Sequence, residues 1–276
     1  MVLKVVNLAI PLGSSKTPTV IRVPDLDLSI KAGDILFITG GSGTGKTALL
    51  NCFGLLPNCR PKENKQLQFI DADGNTFEPT ASGNTDRARR LRRSEIGHIS
   101  SHGALFRFLT LRQNICLERS DPTELDALVK SLGLGCDQAL LDQHPSPVTP
   151  IDIQRKVLVA RELIKRPRLL VADDPVSGVG PDTQKRIWET LLQQKSEGRP
   201  AVIIALRRGS NHAPSMKVLE EAIAQGYKMR CMDGQFKRVE SETRFDFIMI
   251  GPHDKDMSAA ECHGHLVSLP APGATP

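Results

Sequence analysis

Eight consecutive residues, Gly40-Gly41-Ser42-Gly43-Thr44-Gly45-Lys46-Thr47, carry the clearest chemistry in this chain. Their spacing, G-x-x-x-x-G-K-[ST], suits a loop whose backbone N–H groups converge on a phosphate. Glycine permits the tight turns this needs, and a helix starting beyond the loop adds the positive end of its dipole. Lys46 is placed to reach the outer phosphates of a nucleotide, and the Thr47 hydroxyl to ligate Mg²⁺. The ion needs a further hard oxygen ligand. Asp173 supplies one, because it ends the apolar run Leu169-Leu170-Val171-Ala172 and the carboxyl ends of parallel strands face the ligand crevice. The expected binding residues are therefore Gly40, Gly41, Ser42, Gly43, Thr44, Gly45, Lys46, Thr47 and Asp173, with ATP and Mg²⁺ as ligands and Thr47 and Asp173 on the metal.

The elements that must position these residues are legible on either side. Ile35-Leu36-Phe37-Ile38, just before the loop, is a continuous apolar run suited to a strand covered on both faces. Ala48, Leu49, Leu50 and Phe53 mark a helix from near Lys46. Leu3 to Ala9, Val20 to Val23, Leu26 to Ile30 and Leu67 to Ile70 read as strands. Pro122 to Leu132 reads as a helix, capped by Asp121, with Pro122 in its first turn and Gly133 ending it. The run ending at Asp173, a helix from Pro181-Asp182 through Trp188 to Leu192, and a strand at Val202 to Leu206 follow. Strands alternating with helices argue for an α/β fold with a mainly parallel sheet. After about Val239 the pattern decays, and Pro270 to Pro276 reads as a loose tail.

Composition narrows the classes. Aromatic residues make up 4% of the chain, too few for a stacking platform on single-stranded nucleic acid. A net charge of +5 over 276 residues suits an ordinary soluble surface, and the basic run Arg87 to Arg93 reads as a solvated helix face, so no nucleic acid is expected. Six scattered cysteines without a C-x-x-C pair suggest thiols in a reducing compartment. Cys262, His263 and His265, with His253 nearby, lack the paired spacing of zinc sites. The N-terminus lacks the zones of a secretion signal, so a cytoplasmic protein is expected, with any membrane contact made through a partner.

From about Leu3 to Val239 the chain resembles the ATP-binding subunits of ABC transporters, in particular the lipoprotein-release and macrolide-efflux branch. The resemblance rests on Gly40 to Leu50, Ile96 to Ile99, Leu105 to Ile115 and above all Val157 to Pro175, with Ala160-Arg161-Glu162-Leu163 and Arg166 to Pro175. It implies a P-loop NTPase core, an N-terminal antiparallel β group and an inserted helical subdomain at about 86–150. The ABC-type domain would then be 1–242, with a partly loose C-terminal extension at 243–276. It also implies a membrane-spanning transporter subunit as partner. A homodimer, or a heterodimer with another ATPase subunit, is implied as well.

Position by position, several motifs of the resemblance are altered. The Q-loop glutamine falls on Ser101, and the L-S-G-G-Q signature on Thr149-Pro150-Ile151-Asp152-Ile153. The catalytic glutamate falls on Asp174, the D-loop aspartate on Gly180, the switch histidine on Arg207. No aromatic falls at the adenine-stacking position near Ile10-Pro11-Leu12. Asp174 is one methylene shorter than glutamate, setting its carboxylate about 1.5 Å back, a displacement that can cost roughly a hundredfold in rate. Asp152 puts negative charge where the resemblance expects a γ-phosphate. Phosphate binding is therefore expected to survive, with weak or no hydrolysis and Asp174 as the one catalytic candidate. A soluble ATP-binding regulatory or scaffolding module is the alternative, and a P-loop phosphotransferase fits the Ala160 to Pro175 stretch less well.

Overall fold

The computed structural model describes residues 1–6, 8–12, 19–22, 27–57, 59, 66–79, 85–135, 138–192, 200–207, 209–238, 245–250 and 256–267. The chain opens with four short strands, β1 (Leu3–Val6), β2 (Ala9–Leu12), β3 (Thr19–Arg22) and β4 (Asp27–Ile30). β5 (Asp34–Gly40) leads through the glycine-rich loop into α1 (Lys46–Phe53). Then come β6 (Leu67–Ile70), β7 (Thr76–Phe77), α2 (Thr85–Ser94), β8 (Ile96–Ile99), α3 (Leu111–Ile115), α4 (Pro122–Ser131) and α5 (Gln138–Leu141). The second half holds α6 (Ile151–Leu163), β9 (Leu169–Asp173), α7 (Pro181–Leu192) and β10 (Ala201–Ala205). It closes with α8 (Met216–Ala224), β11 (Lys228–Arg238), β12 (Phe245–Ile250) and α9 (Ala259–Val267).

Two sheets result. One is antiparallel, in the order β4-β1-β6-β7; the other has eight strands in the order β2-β3-β12-β11-β5-β10-β9-β8. Within the larger sheet β11, β5, β10, β9 and β8 run parallel. β5, β9 and β10 are buried along their whole length, as their continuous apolar runs require. Alternation along each strand divides the side chains between two cores. Ile35, Phe37, Leu170, Ala172, Val202 and Ile204 face one, packed by helices α3, α4 and α6 to α9. Leu36, Ile38, Leu169, Val171, Ala201 and Ile203 face the other, filled by α1 and the antiparallel sheet. This sandwiching fixes where β5 and β9 end, and with them the loop after Gly40 and the carboxylate of Asp173.

α4 forms as its sequence predicts: the Asp121 side chain accepts from the Glu124 N–H at 3.1 Å, and Gly133 takes the left-handed conformation (φ 63°) just beyond the end. Two stretches add detail to the domain outline. Within 86–150, α2 buries Ala88 and Leu91 in the second core and β8 pairs with β9, so helices α3 to α5 lie beyond a segment built into the main sheet. Part of the stretch set apart as an extension is also structural. β12 pairs with both β11 and β3, and α9 buries Ala259, Cys262 and Leu266 in the first core. The tail from 268 onwards and His253 lie outside the described residues. The arginines of α2 are largely engaged within the chain: Arg87 pairs with Asp71 at 2.8 Å, and Arg92 donates to the Leu55 carbonyl at 2.7 Å.

Candidate nucleotide site

The loop between β5 and α1 has the conformation its glycines allow. Gly43 (φ 76°) and Gly45 (φ 87°) sit in the left-handed region, where a side chain would strain the backbone. No side chain caps α1, so its first N–H groups stay open toward the loop. Lys46 folds back over the loop, its ammonium donating to the carbonyls of Gly41 (2.6 Å) and Gly40 (3.1 Å). Burial pushes the Lys46 pKa below the usual lysine value; Asp173 opposes this, Arg207 adds to it and Asp174 opposes it again. Arg207, itself exposed, thus contributes positive potential where phosphate charge would settle.

Asp173, at the end of β9, is 8% exposed, and its Oδ2 accepts hydrogen bonds from Thr47 Oγ1 (2.7 Å) and Ser101 Oγ (3.2 Å). Thr47 and Asp173, both expected from the sequence to share a metal ion, are brought together by the fold across 126 residues. Two hydroxyls and a carboxylate converging on one point form a hard-oxygen donor set fitted to Mg²⁺ rather than to a softer metal. With the open N–H groups of α1 and the Lys46 ammonium beside them, the residues fit a magnesium–polyphosphate. Thr47 and Asp173 would hold the ion, and the residues from Gly40 to Lys46 would hold the phosphates. Bound there, Mg²⁺ would neutralise phosphate charge.

Asp174 faces a different neighbour. Its backbone is left-handed (φ 44°) and its N–H donates to the Ala205 carbonyl at 2.9 Å, tying it to the end of β10. Its carboxylate Oδ2 accepts from His212 Nδ1 at 2.9 Å. The loop bearing His212 is in turn held by Trp188 of α7, whose ring N–H donates to the His212 carbonyl at 3.0 Å.

The family profile described as ABC transporter matches residues 23–177, more than half of the chain. The chain belongs to the ABC transporter family. It is 26% identical to a glutamate/glutamine/aspartate/asparagine transport ATP-binding protein of Rhodobacter capsulatus, over 81% of this chain and 83% of that one. A lipoprotein-releasing system ATP-binding protein of Neorickettsia sennetsu is 27% identical over 70% of this chain and 83% of its own length. A macrolide export ATP-binding/permease protein of Shewanella oneidensis is 30% identical over 65% of this chain, which spans 27% of that longer protein. Among solved structures, the dimeric bacterial ABC transporter cassette MJ0796 superposes with a TM-score of 0.62 at 20% identity, covering 84% of this chain and 94% of the cassette. That likeness shows the cassette fold.

With the family established, the altered motifs can be located. Arg207, where the sequence aligns the switch histidine of ABC proteins, is exposed, while the imidazole against Asp174 is His212, five residues further on. The segment between β10 and α8 carries no periodicity to fix its register, so the sequence does not single out His212. A histidine in that segment, before a helix, was the available signal. Asp152 is turned inward, its carboxylate accepting from the Gly180 N–H (3.3 Å) and the Thr183 hydroxyl (2.9 Å) at the start of α7. A helix N-terminus is a favourable seat for negative charge, so an acidic residue sits there in place of a free phosphate-facing group. Ser101 does lie beside Asp173, within hydrogen-bond reach of the carboxylate that Thr47 also contacts. Ile10 is buried and offers no face for stacking an adenine.

Proposed function

We propose that this ABC-family chain is an ATP-binding subunit that holds ATP with Mg²⁺, turns it over weakly or not at all, and acts with a membrane-spanning transporter subunit. The observation that carries the reading is the 2.7 Å contact of Thr47 with Asp173 beside the Lys46 loop. It joins the two halves of a magnesium–phosphate site without needing any of the altered motifs. Weak turnover is supported by Asp174, whose shortened carboxylate is already engaged by His212. Asp152, held by α7, supports the same point, since it leaves the signature segment without an open phosphate seat.

Partnership is supported by the relatives, which are transport ATP-binding proteins, and by one surface. Phe108 is 76% exposed and stacks obliquely on Phe106, their ring centroids 5.6 Å apart. The turn carrying them is rigid: Asn114 donates to the carbonyls of Phe106, Leu109 and Thr110. Arg161 donates to Asn114 Oδ1 and lies 5.4 Å over the Phe106 ring. An exposed aromatic pair on a fixed turn suits a protein partner. No helix among the described residues is long and apolar enough to cross a membrane. In this reading the membrane-spanning part belongs to the partner, and the chain sits at its cytoplasmic face. A homodimer, or a heterodimer with another ATPase subunit, belongs to the same reading.

The test is purification at native abundance, with ATP turnover measured on whatever assembly is recovered. A membrane-spanning protein should co-purify, and Phe108→Ser should lose it while still binding ATP. Recovery of the chain alone, still binding ATP, would favour the soluble regulatory role.

A further inference from the structure

Arg155, on the second turn of α6, is 5% exposed, an unusual place for a charged side chain. Its Nη1 donates to the Ser100 carbonyl at 3.0 Å, and its Nη2 to the Ser101 carbonyl at 3.0 Å and the Ser177 carbonyl at 3.4 Å. Its Nε has no hydrogen-bond partner. The guanidinium has no ion pair among the described residues, and the charges that oppose its burial are those of Asp174 and Asp173. Burying a cation against carbonyls alone is costly, so the contacts it makes call for a reason.

The reason lies in what those carbonyls belong to. Ser101 presents its hydroxyl to Asp173 Oδ2 at 3.2 Å, on the same oxygen that Thr47 occupies at 2.7 Å. A serine side chain is short, so its hydroxyl reaches that point only if its backbone is brought close and held there. The turn is seated on α6 from two sides. Gly103 donates to the Ser100 carbonyl at 3.2 Å, and a Cβ at Gly103 would stand 3.1 Å from Leu158, one turn along from Arg155. Arg155 grips the two consecutive carbonyls with two nitrogens of one planar fork, a geometry a lysine ammonium does not offer.

We propose that Arg155 is a positioning residue that holds the 100–101 backbone so that the Ser101 hydroxyl becomes a third protein oxygen at the Mg²⁺ site, beside Thr47 and Asp173. The inference rests on the reading of this site as one for ATP with Mg²⁺. Arg155 acts through Ser101 and touches neither nucleotide nor metal. Its link to the Ser177 carbonyl extends the same hold to the segment after Asp174, so α6, the Ser100–Ser101 turn and the start of the path to α7 move as one unit.

The test is ATP affinity of the full chain titrated with Mg²⁺ and again in excess EDTA, for the unaltered protein and for Arg155→Gln, Arg155→Lys and Ser101→Ala. Ser101→Ala and Arg155→Gln should each weaken the apparent Mg²⁺ affinity by about tenfold. Combining them should cost no more than the worse single change, because both break one chain of contacts. Arg155→Lys keeps the charge but not the two-carbonyl grip, so it should fall with Arg155→Gln, and it carries the test if Arg155→Gln does not fold. A residue needed only for folding would lower the melting temperature and leave the Mg²⁺ dependence unchanged, and that result overturns the proposal. A Mg²⁺ defect in Ser101→Ala that neither Arg155 variant shares overturns it as well. If Mg²⁺ makes no difference to ATP affinity in the unaltered chain, the reading of the site itself fails first, and the role of Arg155 with it.

Discussion

Replacing Lys46 with alanine is the sharpest test of the nucleotide site. The Lys46 ammonium is shared among the carbonyls of Gly40 and Gly41 and the hydroxyl of Thr44, all within 3.4 Å. On binding it would exchange these neutral acceptors for phosphate oxygens. Hydrogen bonds to charged groups are worth about 1.5–3 kcal/mol each, so losing two costs about 3–6 kcal/mol, or roughly a hundredfold to ten-thousandfold in affinity. At an ATP concentration of about 100 Kd, the unaltered chain should gain about 2.7 kcal/mol of stability. For a domain of this size that raises Tm by roughly 5–11 °C. The variant, with its Kd raised at least to the working concentration, should gain at most about 0.4 kcal/mol and shift by no more than about 2 °C.

The assay is thermal unfolding with and without ATP·Mg, each variant compared with its own Tm without ATP, because Lys46 also bonds to the loop carbonyls. The pH dependence has a definite sign. Burial holds the free Lys46 pKa below the ordinary value, and phosphate would raise it, so binding takes up a proton in the window between the two. ATP affinity should therefore fall as pH rises through the free-site pKa, and Lys46→Ala should lose that dependence. An undiminished Tm shift in Lys46→Ala would refute the assignment of the loop to phosphate.

Three further outcomes follow from the altered motifs. The ATP-loaded chain should release little phosphate, and Asp174→Asn should change that rate by less than roughly twofold; robust hydrolysis abolished by Asp174→Asn would show a working base. Asp152→Ala should cost about 1 kcal/mol of stability, read as a lower denaturation midpoint, because it removes two contacts at the start of α7. Light scattering should show no tight ATP-induced homodimer of the isolated chain, and such a dimer weakened by Asp152→Ala would overturn the reading of the signature segment.

The phosphate loop was legible because its chemistry is contiguous: eight adjacent residues carry it, bounded by an apolar run and a helix. Asp173 was legible for a related reason, since five buried positions of β9 end on it. His212 was not, because its place depends on an irregular loop and on a Trp188 hydrogen bond to its carbonyl, which no side-chain pattern announces. Arg155 carried no signal of its role, since only the fold reveals the carbonyls it reaches. β12 went unread because its partners β3 and β11 are fixed by tertiary pairing, one of them more than 200 residues away in the chain.

The polar groups of the site fall into two sets according to what already satisfies them. Lys46 is held by loop oxygens and Thr47 by Asp173, contacts that Mg²⁺ and phosphate oxygens would replace with stronger ones. Asp152 is held by the first residues of α7, and Asp174 by His212, within structure that is packed around Thr183 and Trp188. Releasing that second set would break the contacts of Asp152 at the start of α7 and a contact to a loop held by a buried tryptophan, with no new ligand atom to compensate. A bound nucleotide therefore has a favourable exchange with the first set and none with the second. On the proposed reading, the sequence that keeps a glycine-rich loop open to phosphate commits Asp152 and Asp174 to contacts within the fold, which is the physical basis for expecting binding without rapid turnover.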